Sequence, residues 1–187
     1  MKKEKRLDTP LTEEIRRNLK AGDRVLISGA IYTARDMAHK RLVEAIKKEG
    51  KLPLGRLPFD LHNQIIYYTG PTLAKEGEII GSCGPTTSGR MDKYTPMLLG
   101  AGLGGVIGKG QRSADVISAL RKYKSVYFAA IGGAGALLST KVKNAKLVAY
   151  EDLGCEAIRQ LEVVDFPAIV AVDAYGGSIY GRDFKYR

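Results

Sequence analysis

The segment RVLISGAIYTARDMAHKRL, residues 24–42, joins a strand pattern directly to a helix pattern. Residues 24–28 form an apolar run that is typical of a β-strand. Thr33 is placed to cap a helix that extends to Gly50. The apolar face of this helix would be formed by Met37, Ala38, Leu42, Ala45 and Ile46. We therefore expect Arg35 on the first turn of a helix, where the chain leaves a strand.

The rest of the chain continues this alternation of strands and helices. Further strands are predicted at residues 64–69, 78–82, 106–107, 125–131, 146–150, 158–164 and 168–173. Helices are predicted at residues 11–19, with Thr12 as its cap, at 91–99, and at 113–123, capped at Ser113. A loop is predicted at 51–63 and a hairpin turn at the YGG of residues 175–177. Strands separated by helices, with a hairpin near the end, predict a mixed α/β sheet in a single domain, residues 1–187.

The composition is that of a basic protein. Thirty Lys and Arg residues against twenty Asp and Glu residues give a net charge of +10. This excess indicates an acidic partner, which is an anionic substrate, an acidic protein surface or nucleic acid. A lysine-rich surface without such a partner is the alternative. Nucleic acid is the least favoured partner, because the chain has no aromatic RNA-binding strand motif and no zinc-finger spacing.

The sequence contains no signal for a membrane or for export. No apolar run approaches the roughly 20 residues that a membrane span requires. The basic start, MKKEKRLDTP, is not followed by an apolar segment, so we expect no secretory signal and predict a cytoplasmic location. Cys83 and Cys155 are too few for a disulfide framework and have no metal-finger neighbours, so no metal site is expected in this chain.

A second segment, CGPTTSGRMD at residues 83–92, carries more polar groups than a turn requires. Its Gly-Pro dipeptide is sufficient for the turn itself. The surplus hydroxyls, backbone amides and guanidinium are groups that bind small anions. The residues concerned are Gly84, Thr86, Thr87, Ser88, Gly89 and Arg90. The GPT of residues 84–86 also occurs at 70–72, where we interpret it as a structural echo.

Three cations lie on glycine-flanked turns after predicted strands: Arg35, Arg90 and Lys109. Any single surface arginine is more often only a solvated charge. Three at strand exits are harder to explain in that way, because α/β sheets place ligands at the carboxyl ends of their strands. Arginine binds a carboxylate with two parallel hydrogen bonds. The pattern therefore predicts a site for a small dicarboxylate.

Other chemistries have less support in the sequence. Lys109 lacks the flanking residues of a phosphate-binding loop. In the GGAGAL at residues 132–137, Gly133 and Gly135 could start a dinucleotide fingerprint, but Leu138 then stands at the position of its third glycine. We interpret that turn as close packing against the sheet. His39 and His62 are too few for a catalytic triad, and His39 is expected to be structural. Cys83 is interpreted as a small packed residue rather than a nucleophile.

Several segments together resemble one family over nearly the whole chain. They are SGAIYTARDMAHKRL, YYTGPT, GSCGPTTSGRMDKYTPMLL, GKG and YEDLGCEAIRQLEVVDFPAIVAVD. They are similar to the β subunit or C-terminal domain of class I fumarases and L-tartrate dehydratases, which are iron-sulfur hydro-lyases. The resemblance implies a swivelling β/β/α domain with a mostly parallel central sheet, helices on one side and a small second sheet.

The resemblance also implies an enzyme that is complete only with a partner. In this family a [4Fe-4S] cluster is bound by three cysteines of the α part and acts as a Lewis acid on the substrate. This chain lacks those cysteines, so it is expected to be active only with an α subunit, in an α2β2 assembly or as a β dimer. Arg35, Arg90 and Lys109 would bind substrate carboxylates, and Thr86 would take the proton from carbon. Thr87 or Ser88 is the alternative acting hydroxyl.

The resemblance and the composition together leave three candidate functions. Hydration of fumarate to L-malate is the favoured one, and dehydration of L-tartrate is the alternative within the family. A non-catalytic protein that binds anions or nucleic acid is the alternative from another class. Gain of activity with an α subunit would separate the enzymes from the binding protein, and a gel-shift assay would detect nucleic acid binding with a steep salt dependence.

Overall fold

The computed structural model describes residues 4–48 and 57–181, which contain alternating strands and helices. The elements in chain order are β1 (Lys5–Asp8), α1 (Glu13–Arg17), β2 (Arg24–Thr33), α2 (Asp36–Lys48), β3 (Ile65–Tyr67), α3 (Thr95–Gly100), β4 (Gly105–Gly108), α4 (Ala114–Tyr123), β5 (Val126–Ala129), α5 (Gly135–Ser139), β6 (Val142–Ala149) and β7 (Ile158–Val172). Short 3-10 segments occupy Ser88–Met91 and Glu151–Glu156, and the second one is kinked at Gly154. The predicted mixed α/β class is confirmed.

The strands form one seven-stranded sheet in the order β1-β2-β3-β4-β5-β7-β6. β2, β3, β4 and β5 lie side by side and run parallel. β7 is antiparallel to its neighbours and pairs both with β5, through Phe128↔Val170, and with β2, through Ile31↔Leu161. The pairings among β2, β3, β4, β5 and β7 therefore return to their starting strand and close a ring, as in a small barrel.

The ring has a core on each of its faces because successive strand residues point to opposite sides. Tyr67, Ile107 and Phe128 belong to one buried cluster, together with residues of β2 and β7. Their sequence neighbours Tyr68 and Val106 belong to a second cluster, which also includes apolar residues of α2, α3 and α4. Those three helices therefore cover one face of the parallel strands, and all four carboxyl ends of β2–β5 lie at one edge.

The ends of two helices match their sequence signals. Thr12 caps α1 by accepting a hydrogen bond from the Ile15 amide at 3.4 Å. Ser113 caps α4 in the same way through the Val116 amide, also at 3.4 Å. Lys124 ends α4 in the left-handed conformation. A side-chain oxygen at the first position satisfies an amide that the helix itself leaves without a partner.

The first predicted junction is displaced by five residues. β2 continues past residue 28 to Thr33, because Gly29 has a φ of +101° and forms a bulge against β7 rather than a turn. Thr33 is buried, donates a hydrogen bond to the Ala157 carbonyl and accepts one from the Arg159 amide, so it does not cap α2. The predicted helix end at Gly50 lies outside the described residues.

Two other predictions about strands differ from the structure. Residues 78–82 are not a strand, and this segment is connected to the first GPT copy by the hydrogen bond from the Thr72 amide to the Ser82 carbonyl. The runs predicted at 158–164 and 168–173 are one strand, β7, which passes through a positive φ of 51° at Asp165. A continuous β7 is what allows one strand to pair with β2 along both of its halves.

The hairpin turn at residues 175–177 is present as a tight turn after β7. The Asp173 amide donates to the Gly177 carbonyl, and Val172 pairs with Ser178 as an isolated antiparallel bridge. Within residues 4–48 and 57–181, every helix is too short or too polar to cross a membrane. The first part of the predicted loop, residues 51–56, lies outside the part of the chain that the structure describes.

Candidate functional site

The polar residues singled out in the sequence converge at the edge formed by the carboxyl ends of β2 to β5. Arg35 follows β2 and Lys109 follows β4. Thr86 reaches the same edge because its amide donates to the carbonyl of Tyr68, directly after β3, at 2.7 Å. The carboxyl edge of a parallel sheet is the usual position for a ligand in an α/β protein.

The GPTTSGR loop is held in place by the backbone of Lys109. The Lys109 amide donates to the Thr86 carbonyl at 3.3 Å, and the Ser88 amide donates to the Lys109 carbonyl at 2.9 Å. Thr87 pairs with Lys109 as a parallel bridge between these two bonds. Thr86 is partly exposed and Thr87 is exposed, whereas the next residue, Ser88, is buried.

Arg35 and Arg90 meet at a shared carboxylate, Asp36. Arg90 donates from Nε to Asp36 Oδ1 at 2.9 Å. Arg35 Nη2 lies 3.8 Å from Asp36 Oδ2 and 3.6 Å from Glu156 Oε1. These are ion-pair distances, longer than hydrogen bonds. Among the described residues, the buried atoms Arg35 Nε and Asp36 Oδ2 have no hydrogen-bond partner.

A glycine allows the chain to approach Arg35 closely. A Cβ on Gly70 would lie 2.9 Å from both Cδ and Nη1 of Arg35. Gly132 lies beside Lys109 without this requirement, since a Cβ there would be in ordinary contact, 3.5 Å from Lys109 Cδ. The first GPT copy is therefore more than an echo of the second one, since its glycine makes room for a site arginine.

The GGAGAL turn has the close-packing role expected of it. A Cβ on Gly135 would lie 2.4 Å from Ser82 Oγ and 2.9 Å from the amide nitrogen of Gly84. The Gly84 carbonyl in turn accepts a hydrogen bond from Thr69 Oγ1 at 2.9 Å. The start of the hydroxyl-rich loop is thus packed against α5 and bonded to the end of β3.

Ser88 points away from the open edge. It is fully buried, and its hydroxyl lies 3.0 Å from the Tyr127 hydroxyl. Tyr127 donates to the Gly110 carbonyl at 2.7 Å, and burial raises the pKa of Tyr127. Ser88 therefore connects the loop to β5, which leaves Thr86 and Thr87 as the exposed hydroxyls of this segment.

A buried arginine that the sequence analysis did not single out lies beneath the loop. Arg112 donates from Nε to Asp92 Oδ1 at 2.7 Å and from Nη2 to Thr95 Oγ1 at 2.8 Å. Its guanidinium carbon is 5.3 Å from the ring centre of Tyr68 and 5.0 Å from that of Tyr127. The Asp92 carboxylate also accepts from the Ser113 amide, so this network fixes the loop to α3 and α4.

His39 is structural, as expected. Its ring is fully buried, and Nδ1 lies 2.9 Å from the Arg35 carbonyl, a geometry that places the proton on Nδ1. Burial lowers the pKa of His39 to about 4. The ring packs edge-on against Tyr68 at 5.0 Å. The neutral imidazole therefore supports the backbone from which the Arg35 side chain projects.

The cysteines do not fit an iron-sulfur cluster. Cys83 is buried, and burial raises the pKa of its thiol to about 11, whereas Cys155 is exposed. A cluster of this kind requires several thiolate ligands on one site. In residues 4–48 and 57–181 no three His, Cys, Asp or Glu side chains form a group that could hold a metal ion. The interpretation of Cys83 as a packed residue agrees with this burial.

The site can bind an anion with two acidic groups. Two guanidiniums meet at one carboxylate, and a lysine is bonded through its backbone to the hydroxyl loop at the same edge. Asp36 and Glu156 are the parts of this arrangement that sequence reasoning missed. Asp36 follows Arg35 directly, which was an available signal, but Glu156 lies 119 residues from Met37 and still further from Arg35, so no local pattern indicated it.

The chain was compared with protein families and with curated proteins. Residues 1–182 match the family described as Fumarase C-terminus. A Methanocaldococcus jannaschii protein with the provisional name L(+)-tartrate dehydratase subunit beta is 41% identical over 176 residues, which are 91% of this chain and 88% of that protein.

Longer relatives match through one part of their length. The anaerobic class I fumarate hydratase of Escherichia coli is 41% identical over 160 residues, which are 84% of this chain and 28% of that protein. Fumarate hydratase 2 of Leishmania major is 37% identical over 163 residues, which are 86% of this chain and 28% of that protein. The chain therefore spans somewhat more than a quarter of the length of these two relatives.

Proposed function

The chain belongs to the Fumarase C-terminus family, and from that premise we propose that it is the β subunit of a hydro-lyase that reversibly hydrates fumarate to L-malate. Its role is to bind the substrate carboxylates and to supply the group that exchanges a proton with carbon. A separate α subunit supplies the rest of the site. The proposal includes a single swivelling β/β/α domain and a cytoplasmic location.

The observation that carries this proposal is the meeting of Arg35 and Arg90 at Asp36 on the carboxyl edge. Arginine is suited to carboxylates because its planar donors match the two oxygens, and charge-assisted bonds of this kind contribute about 1.5–3 kcal/mol each. Lys109 adds a third cation beside the threonine loop. A C4 dicarboxylate presents one charged group at each end, so two cationic positions are what it needs.

Thr86 is proposed as the group that takes the proton. In dehydration the proton leaves the carbon next to one carboxylate, hydroxide leaves the neighbouring carbon, and the double bond forms between them. A threonine hydroxyl is a weak base, so nearby cations must stabilise its alkoxide. Lys109, whose backbone amide donates to the Thr86 carbonyl, is the candidate that we propose. Thr87 is the alternative hydroxyl.

The requirement for an α subunit is supported by the surface around the site. Leu73 is 96% exposed, Ile131 is 65% exposed and Leu137 is 57% exposed, and these residues belong to segments that follow β3 and β5 at the carboxyl edge. Exposed apolar side chains that together form one patch are typical of a covered surface. We propose that the α subunit covers this edge and holds the [4Fe-4S] cluster, in an α2β2 assembly.

Two other functions are possible alternatives: one differs from the proposal in its substrate, and the other in its binding partner. The name of the Methanocaldococcus relative favours L-tartrate dehydratase as the second candidate. That substrate has the same two carboxylates and one more hydroxyl, so the cations alone do not discriminate. A non-catalytic anion or nucleic-acid binder is favoured only by the net charge of +10.

The test is reconstitution with an α-type chain that contains three cluster cysteines, followed by assays on fumarate and on L-tartrate. We expect no turnover by this chain alone and turnover of one substrate by the pair. Thr86→Val should lower kcat by at least about 100-fold, which is the usual contribution of a proton-transfer group. If Thr87→Val has that effect instead, the acting hydroxyl is Thr87. Retarded nucleic acid in a gel shift, without activity in any pair, would refute the enzyme.

A further inference from the structure

We infer that Asp36 is a positioning residue for the substrate site: it orients the Arg90 guanidinium and sets its separation from Arg35. The inference rests on the proposed function. Asp36 is the first residue of α2, and its two carboxylate oxygens face two different arginines. It lies one residue after Arg35 but 54 residues before Arg90, so it connects two loops that have no sequence relationship.

The contact between Asp36 and Arg90 uses one particular edge of the guanidinium. Arg90 donates from Nε at 2.9 Å. Because the guanidinium is planar, a carboxylate bound at Nε directs the opposite end, formed by Nη1 and Nη2, away from Asp36 as a two-pronged donor. That end is the part that can bind a substrate carboxylate bidentately. The Arg90 side chain is 52% exposed, so without this contact it has freedom to turn into solvent.

Arg35 is held in a different way, by charge. Its Nη2 lies 3.8 Å from Asp36 Oδ2 and 3.6 Å from Glu156 Oε1, and its buried Nε has no partner in the described part of the chain. Glu156 is itself fixed, because its other oxygen accepts from the Met37 amide at 2.9 Å. A buried donor without a partner is costly unless a ligand or water binds it. Arg35 is therefore positioned by charge, and its Nε is a buried donor that no described residue satisfies.

The charges of this group are balanced before any ligand binds. Two guanidiniums placed close together repel each other, and the repulsion is strongest where water is partly excluded. Asp36 and Glu156 supply two negative charges beside them. Removal of Asp36 takes away the one carboxylate that faces both arginines, so the two cations should separate and lose the spacing that fits a dicarboxylate.

The experiment is a double-mutant cycle on the reconstituted enzyme, with Asp36→Ala, Arg90→Ala and the combined variant. Asp36→Ala should raise KM for the dicarboxylate by at least about tenfold, with a smaller change in kcat, because binding geometry rather than proton transfer is affected. In the Arg90→Ala background the same change should raise KM by less than about twofold, since the arginine that Asp36 orients is already absent. Asp36→Asn, which keeps an acceptor for Nε, should recover part of the loss.

Asp152→Ala is the matched control. Asp152 is also a carboxylate bound to an arginine, Arg41 of α2, at 2.7 Å, although it is more exposed than Asp36, and it belongs to the same 3-10 segment as Glu156. Its loss should leave KM unchanged. Thermal unfolding of each variant separates misfolding from mispositioning, and Asp36→Asn serves if Asp36→Ala does not fold.

The outcomes distinguish this inference from the proposed function. If the wild-type pair hydrates or dehydrates no dicarboxylate, the proposed function is wrong. If the wild-type pair is active and Asp36→Ala keeps the parental KM, or raises KM equally with and without Arg90, then Asp36 does not position Arg90 and only the inference is overturned. A non-additive cycle with a parental KM for Asp152→Ala supports it.

Discussion

Arg112 and the Arg35–Arg90 pair show two ways in which one chain uses arginine. The Arg112 side chain is completely buried, and its donors bind Asp92 and Thr95 between two tyrosine rings. Arg90 is half exposed and is bound through Nε, and Arg35 has a buried Nε without a described partner. A saturated guanidinium can only hold the fold together, whereas an unsaturated one can also bind a ligand. Hydrogen-bond completeness, rather than residue type, separates the two roles.

The largest effect is expected from the saturated arginine. Arg112→Ala leaves Asp92 without its ion-pair partner, and loss of one member of a buried pair costs about 3–5 kcal/mol. The free energy of unfolding in urea measures this. Arg90→Ala is the matched control and should change stability by less than about 1 kcal/mol, because its ion pair is exposed. If the two variants were equally stable, Arg112 and Arg90 would not differ in their contribution to the fold.

The second prediction concerns activity, for which Arg90 rather than Arg112 is expected to matter more. Arg90→Ala should lower kcat/KM of the reconstituted enzyme at least about 100-fold, because a charge-assisted pair with the substrate is lost. The variant should fold normally, so circular dichroism and the unfolding midpoint serve as controls. Wild-type rates in this variant would show that Arg90 does not contact the substrate.

His39 connects the two regions, since it bonds the Arg35 carbonyl and its ring packs on Tyr68, which also faces Arg112. Burial lowers its pKa from 6.5 to about 4, so the unfolded chain binds a proton before the folded one does. Stability should therefore fall as the pH drops below about 6.5, by about 2 kcal/mol at pH 5, and level off below pH 4.

The His39 contribution is isolated by comparing wild type with His39→Leu, because other groups titrate in the same range in both proteins. The leucine variant should lose that part of the acid dependence. If the curves of unfolding free energy against pH are parallel for wild type and His39→Leu, then His39 is not held neutral.

The smallest effect is expected at the boundary between the loop and the core. Ser88→Ala removes the hydrogen bond to Tyr127 and should cost about 1 kcal/mol of stability. Its effect on kcat should be far smaller than that of Thr86→Val, because the Ser88 hydroxyl is buried away from the edge. A loss of kcat as large as that of Thr86→Val would place Ser88 among the reacting groups.

Local patterns predicted the elements that local forces determine. The caps at Thr12 and Ser113, the helix 113–123 and the strands around β4 and β5 follow from side-chain hydrogen bonds and apolar periodicity within a few residues. The loop with Thr86 and Arg90 was also visible, because it carries polar groups that no turn requires. These features depend on residues that are neighbours in the sequence, so the sequence alone was enough to predict them.

Long-range packing decided the rest. The apolar pattern ends the predicted strand at residue 28, yet β7 pairs on both sides of Gly29, which forms a bulge within one longer strand. Residues 78–82 are apolar enough for a strand, but no neighbouring strand pairs with them among the described residues. Asp36 meets Arg90, Glu156 meets Arg35 and Asp92 meets Arg112 across 20 or more residues of the chain. These contacts form because the closed ring of strands brings distant loops to one edge. Local periodicity in the sequence does not reveal such proximity.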